Sequence, residues 1–417
     1  MKVVGIFILL IISQLTYATY LLIPMDEVQK NHLKAYGIAY WALQNDVEVS
    51  WLLNYRGGSF IINYRGEIED ECKIRGVSYE ITADFQANQI FTEILRPDVN
   101  MDRVKLEKAP KIAVYSPKSN LPWDDAVTLV LSYAEIPYDV IYDKEIAEGD
   151  LSKYDWLHLH HEDFTGQYGK FYGNYSNASW YKNSQLELED LAAELGYKKV
   201  SELKKFIVKS LREYVSMGGF LFAMCSATDT YDIVLAIGNT DICAPMFDGD
   251  PMDADIQSKL DYSQTFAFKD FTLNQNPYEY KFSDIDVSTY RKVTQDKDFF
   301  YLFDFSAKWD PIPTMLCQNH EKIIKGFMGQ TTAFNKDMIK SNILIMGENK
   351  SINEAKYIHG EFGKGTWTFY GGHDPADYQH FVGDPKTDLD LHPNSAGYRL
   401  ILNNILFPAA KKKKMKT

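Results

Sequence analysis

At 417 residues the chain is long enough for two or three domains of the usual ~100–200 residues. With 45% apolar and 24% charged residues it reads as globular, which excludes a largely disordered chain, collagen and coiled coil. The net charge is −13, and because Lys2, Lys411, Lys412, Lys413, Lys414 and Lys416 lie at the two ends, the body is more acidic still. Such a surface disfavours nucleic acid as a partner and leaves uncharged or cationic ligands open.

Residues 1–18 have the pattern of a secretory signal: Lys2, an apolar run, then Thr16-Tyr17-Ala18 ending on a small residue. The run falls short of the about 20 apolar residues that span a bilayer. The chain is therefore expected to be exported, periplasmic or extracellular, with envelope proteins as candidate partners. Cys72, Cys225, Cys243 and Cys317 allow two disulfides in such a compartment. They contain no C-x-x-C pair, so no structural zinc site is expected.

Residues 19–108 read as a small α/β domain. Tyr20-Leu-Leu-Ile-Pro24 is extended, a helix is expected from about Asp26 to Leu43 with Asp26 and Gln29 as a capping pair, and Gly57-Gly58 breaks the next strand. From 109 to 410 short apolar strands alternate with amphipathic helices: Lys111-Ile-Ala-Val-Tyr115, Tyr138-Asp-Val-Ile-Tyr142, Asp155-Trp-Leu-His-Leu159 and Phe220-Leu-Phe-Ala-Met224. Such strands make a parallel sheet covered on both faces. Between 240 and 340 the rhythm breaks, and aromatic stretches at 266–271, 278–282 and 299–305 suggest inserted antiparallel strands. The apolar pattern resumes at 341–347 and 366–370, a helix closes the fold at 397–407, and residues 411–417 form a basic tail expected to be disordered.

Ligands of open parallel sheets bind beyond the carboxyl ends of the strands, and the residues at those ends are the candidates. Cys225 follows four apolar strand residues and precedes a helix start. An elbow there exposes the thiol, lowers its pKa and aims the Ser226 amide as an oxyanion donor. His373, after Gly371-Gly372, is the candidate base. Asp124, His160, His161, Glu162, Ser226, Asp229 and Gly372 are candidate substrate-binding residues. His158 and His160 alternate with Glu162 along a strand, but spacing brings no distant His to complete a ligand set, so no metal and no cofactor is expected. The 24 Phe, 28 Tyr and 7 Trp include a cluster at 171–181 suited to sugar stacking or to packing. Asn174 and Asn177 match glycosylation acceptors.

Tyr214-Val-Ser-Met-Gly-Gly-Phe-Leu-Phe-Ala-Met-Cys-Ser-Ala-Thr-Asp-Thr230 and Phe362-Gly-Lys-Gly-Thr-Trp-Thr-Phe-Tyr-Gly-Gly-His373 resemble the elbow and the closing Gly-His turn of the ThuA-like family. That family belongs to the class I glutamine amidotransferase-like superfamily. The resemblance implies a doubly wound, mostly parallel, flavodoxin-like sheet. Two departures from the amidotransferase pattern stand out: the elbow is Ala223-Met-Cys-Ser-Ala227 rather than Gly-x-Cys-x-Gly, and Pro375 stands where the triad Glu belongs, so that only Asp374 or Asp377 could supply the acid. The whole chain also resembles a bacterial group often labelled asparagine synthetase B, yet residue 2 is Lys rather than Cys and no Ser-Gly-Gly-x-Asp-Ser loop occurs. The expected function is that of a hydrolase or amidotransferase-like protein. The alternatives are a binding module for a small molecule, glycan or peptide, and a structural part of an envelope complex.

Overall fold

The computed structural model describes residues 18–117, 125–310 and 312–410. The signal-like segment (but for Ala18), Asp124 and the lysine tail lie outside these residues. Among the described residues no helix is long and apolar enough to cross a membrane.

The amino-terminal part is a five-stranded antiparallel sheet. Its strands are β1 (Ala18–Ile23), β2 (Val49–Leu53), β3 (Ser59–Asn63), β4 (Glu80–Ala83) and β5 (Asp102–Leu106), in the order β4-β1-β3-β2-β5. Gly57 and Gly58, both at positive φ, turn the chain from β2 into β3. The helix His32–Gln44 starts later than expected. Asn31 caps it by accepting from the Lys34 amide at 2.9 Å, whereas Asp26 pairs with Arg56 and Gln29 bonds Pro24 O and the Ser78 amide.

The second sheet contains β6 (Ile112–Tyr115), β7 (Asp139–Ile141), β8 (Trp156–Leu159), β9 (Phe220–Met224), β10 (Phe299–Leu302), β11 (Ile323–Lys325), β12 (Phe334–Asn335), β13 (Leu344–Asn349), β14 (Glu354–Phe362) and β15 (Gly365–Tyr370). Its order is β11-β10-β13-β14-β15-β9-β8-β6-β7, with β12 on β14. From β15 to β7 all pairs are parallel, and from β15 outward to β11 all are antiparallel. The protein is thus α/β with mixed sheets, less parallel than expected. β13 turns back into β14 through a short loop, and a parallel neighbour needs a crossover of a dozen residues or more.

Alternation along the parallel strands divides the core. Ile112, Val114, Trp156, Phe222 and Met224 face the helices Ala126–Tyr133, Ala396–Leu406 and His32–Gln44. Ala113, Tyr115, Leu157, Leu159, Leu221 and Ala223 face the helices Val200–Met217 and Ala227–Ile237. Helix Ala396–Leu406 also ties the two sheets together. Buried Arg399 donates to Tyr36 Oη at 2.9 Å, to Met25 O at 3.2 Å and to Gly57 O.

The insertion corrects one expectation. Phe266–Phe271 and the stretch from Tyr278 to Phe282 are not regular strands: Phe268 makes an isolated bridge to Ile339, and residues 278–282 make none. The Asp232 carboxylate accepts the amides of Phe266, Ala267 and Phe268 at 2.7–2.9 Å and so replaces a strand partner. Their rings meanwhile enter the core against Trp367 and Phe334.

Candidate functional site

Four turns meet at the carboxyl rim of the parallel strands. The first precedes helix Ala126–Tyr133. Asp125 caps that helix through Oδ1, which accepts from Val127 and Thr128 at 2.7 and 2.9 Å. Its Oδ2 lies 3.2 Å from His158 Nε2 and 3.3 Å from His160 Nδ1. One carboxylate therefore fixes a helix start and orients two imidazoles.

The second turn follows β8 and carries His160, His161 and Glu162. His158 belongs to the covered face, beside the rings of Trp156 and Phe222. Glu162 does not continue its alternation. The strand ends at Leu159, and Glu162 turns to Tyr142 Oη (3.3 Å) and buried Lys204 (3.6 Å). Burial pushes its pKa up to about 7 against the pull of Lys204. Lys204 is also held by Asp143, Tyr115 and Tyr142.

At the third turn Cys225 has φ +53°, the strained elbow expected after β9. Its thiol is not exposed, however. It is 4% accessible, and burial pushes its pKa up to about 11 despite amides of Gln330, Thr331 and Ser226 directed at the sulfur. Gln330 N lies 3.3 Å from Sγ. All four cysteines are free, so neither disulfide forms, and Cys243 donates to Thr165 O instead. Asp229, one helical turn on, is buried and accepts from Thr331 Oγ1 at 2.9 Å. Burial and then Asp286 raise its pKa well above the usual carboxylate range.

At the fourth turn Gly372, at φ +93°, leaves no room for a Cβ against Phe327 and Lys356 Nζ, and it sends the chain into His373. The His373 ring stacks on His160 with centroids 4.6 Å apart and lies 5.9 Å from His161 and 5.2 Å from His380. Burial, then the neighbouring imidazoles, hold it well below the usual histidine range. His161 is lowered to about 3 by burial first and His160 next. Asp374 is turned away from the acid role: its oxygens accept from Ala376 N and Thr387 Oγ1. Of the two candidate acids, Asp377 does meet an imidazole, but that of His380, 3.0 Å from Nδ1.

The loop Met328–Gly329–Gln330–Thr331 joins these turns. Met328 O accepts from His373 N, Thr331 O from Gly372 N, and Gln330 N donates to Cys225. A cavity of about 290 Å³ opens here, lined by Cys225, His161, His373 and His380 with Phe171, Tyr175 and Tyr280 among its walls. Next to it lies a cavity of about 570 Å³ bounded by Glu162, Asp163, Trp180, Tyr181 and Lys204, sharing His161 and Phe171. Cys225, His161, His373 and, behind them, His160 thus come together, while Glu162 faces the larger cavity. Sequence reasoning missed Asp125, His380 and Gln330. Only Asp125 carried a readable signal, as the residue before a helix at a strand end.

No family model matches the chain, and no curated protein does. Among solved structures it is similar to the cytoplasmic proteins STM3548 of Salmonella typhimurium (11% identity, TM-score 0.34, covering 72% of this chain and 100% of that one) and STM1381 of Salmonella typhimurium LT2 (10%, 0.34, 72% and 99%). It is also similar to part of Gan42B, a GH42 beta-galactosidase (12% identity, TM-score 0.27, covering 64% of this chain and 28% of that one). Likenesses at these scores carry no inference about its chemistry.

Proposed function

We propose that the chain is a hydrolase or amidotransferase-like enzyme acting on a small uncharged or cationic molecule in the rim crevice. The reading rests on one observation: Cys225 and three imidazoles line the same cavity of about 290 Å³. The parallel strands run in the order second, first, third, fourth, fifth with helices on both faces. That order supports the doubly wound, flavodoxin-like arrangement, in which ligands bind beyond the carboxyl ends of the strands. In this reading the Cys225 sulfur adds to a carbonyl carbon while its proton passes to an imidazole of the cavity wall. The carbonyl oxygen takes the negative charge beside the Gln330 and Ser226 amides. The imidazole returns the proton to the leaving group, and water then cleaves the thioester. His373 is the base that its place at a strand end suggests, but His380, oriented by Asp377, has the geometry of an acid-backed base.

A second reading, a glycan- or peptide-binding module, is favoured by the aromatic walls Phe171, Tyr175 and Tyr280 and by the burial of the thiol. Screening a panel of amide and ester substrates separates the two. Turnover abolished by Cys225→Ser in a folded protein supports the enzyme. No turnover across the panel, with calorimetric binding of a glycan that Cys225→Ser leaves intact, replaces it with the module.

A further inference from the structure

We propose that His160, His161 and His373 form a site for one divalent transition-metal ion, zinc foremost, with the fourth coordination position open to the cavity. One ring nitrogen of each lies within 4.8 Å of the others, a spacing that small side-chain rotations close around a single ion. His161 and His373 line the cavity of about 290 Å³, and His160 stands behind, stacked on His373.

Two further observations point to a ligand. His160 places Nδ1 3.3 Å from Asp125 Oδ2, and both of its ring nitrogens, Nε2 included, are buried with no hydrogen-bond partner. A buried polar nitrogen in that state is costly unless something binds it. Asp125 also completes the carboxylate–histidine–metal arrangement of metal sites, in which an outer carboxylate fixes the tautomer and orientation of a ligating ring. Its Oδ1 is held by two helix amides, so it serves as a rigid support rather than as a ligand.

The donor set selects the ion. Three imidazoles with no carboxylate among them suit zinc, cobalt, nickel or copper and not magnesium or calcium. Three protein ligands with an open position are the arrangement of catalytic rather than structural zinc. Among the described residues Cys225 joins no such group, so its sulfur faces the cavity beside the ion rather than on it. This inference shares the crevice with the enzyme reading above. It assigns His373 to the ion and leaves His380, with Asp377, as the proton acceptor.

The test uses the full chain, freed of metal with a chelator and titrated with Zn²⁺ and with Co²⁺. One equivalent of Zn²⁺ should bind. His160→Ala and His373→Ala should lose stoichiometric binding, Asp125→Asn should weaken it about 10- to 100-fold, and Cys225→Ser should leave it unchanged. Should a histidine variant fail to fold, the unmutated chain still decides. Its Co²⁺ adduct should show the visible absorption of a four-coordinate nitrogen and oxygen site without a thiolate charge-transfer band. No stoichiometric binding, binding indifferent to the histidine variants, or a thiolate band would each overturn the proposal. Metal retained by a Cys225→Ser chain that has lost turnover supports both readings. Metal bound by a chain with no thiol-dependent turnover supports this one and removes the other.

Discussion

The ring of His373, delivered by the turn after β15, stacks on that of His160, delivered by the turn after β8, with centroids 4.6 Å apart. The two residues are far apart in sequence and come from strands separated by β9. Their meeting is what turns separate strand ends into one site, and its consequences can be measured.

Cys225 should react slowly. With burial holding the thiol near 11, the thiolate is scarce at neutral pH. Iodoacetamide labelling followed by mass spectrometry should give a rate below that of a free thiol, rising steadily up to pH 9. A plateau near neutrality would reveal a thiolate–imidazolium pair instead.

The chain should lose stability in mild acid. Burial first, then Arg399, lowers His32 to about 4 and His320 to about 3, and their rings stack 4.1 Å apart. Both folded pKa values lie below the unfolded value near 6.5, so the unfolded chain binds more protons in that window. Stability is complete above pH 6.5 and falls as the pH drops, by roughly 2–4 kcal/mol at pH 5 for the pair. Denaturation midpoints between pH 7 and 5 measure the slope, and a flat profile would contradict it.

Arg399→Met should act in two opposed ways. Removing the guanidinium takes the buried donor from Gly57 O, leaves Met25 O with His32 Nε2 alone, and costs about 3 kcal/mol at pH 7. It also removes a positive charge from beside His32 and His320, so the acid slope should become shallower than in the unmutated chain. Urea melts at pH 7 and 5 read both effects.

Asp232→Ala should cost about 2–4 kcal/mol, because three buried amides lose their shared acceptor. Asp232→Asn, which keeps a single carbonyl oxygen, should cost less. Equal losses for the two variants would mean that the carboxylate is not what fixes the 266–268 segment.

Gly372→Ala should destabilise by about 1–3 kcal/mol, since a Cβ at φ +93° would come within 2.6 Å of the Phe327 ring. It should also shift the His373 ring resonances, because His373 is the next residue. Unchanged resonances would show that the turn does not position the ring.

Much of this site was legible because strand ends are local. Cys225 and His373 each follow a short apolar run, and the runs at β6, β8, β9 and β15 read plainly because both faces are buried. The remainder was encoded in neighbours that only tertiary structure supplies. Asp125 gained its role when β6 came to lie beside β8, which no spacing in the sequence states. Strand β14 was hidden by Glu354 and Lys356. Charges mid-strand argue against burial until Arg291, 2.9 Å from Glu354, and the carbonyls of Phe327 and Thr332 are found opposite them. The aromatic stretch at 266–271 looked extended because its partner is a side chain, Asp232, rather than another strand.

The loop Met328–Gly329–Gln330–Thr331 works as a yoke between the turns that follow the paired strands β9 and β15. It belongs to the block of chain between β9 and β15, yet it bonds at once to Cys225, Gly372 and His373. Whatever seats on that block, or is engineered into it, tugs the thiol and the imidazoles in concert. Amide exchange at Gly372, His373 and Gln330 should accordingly be released as a single cooperative unit.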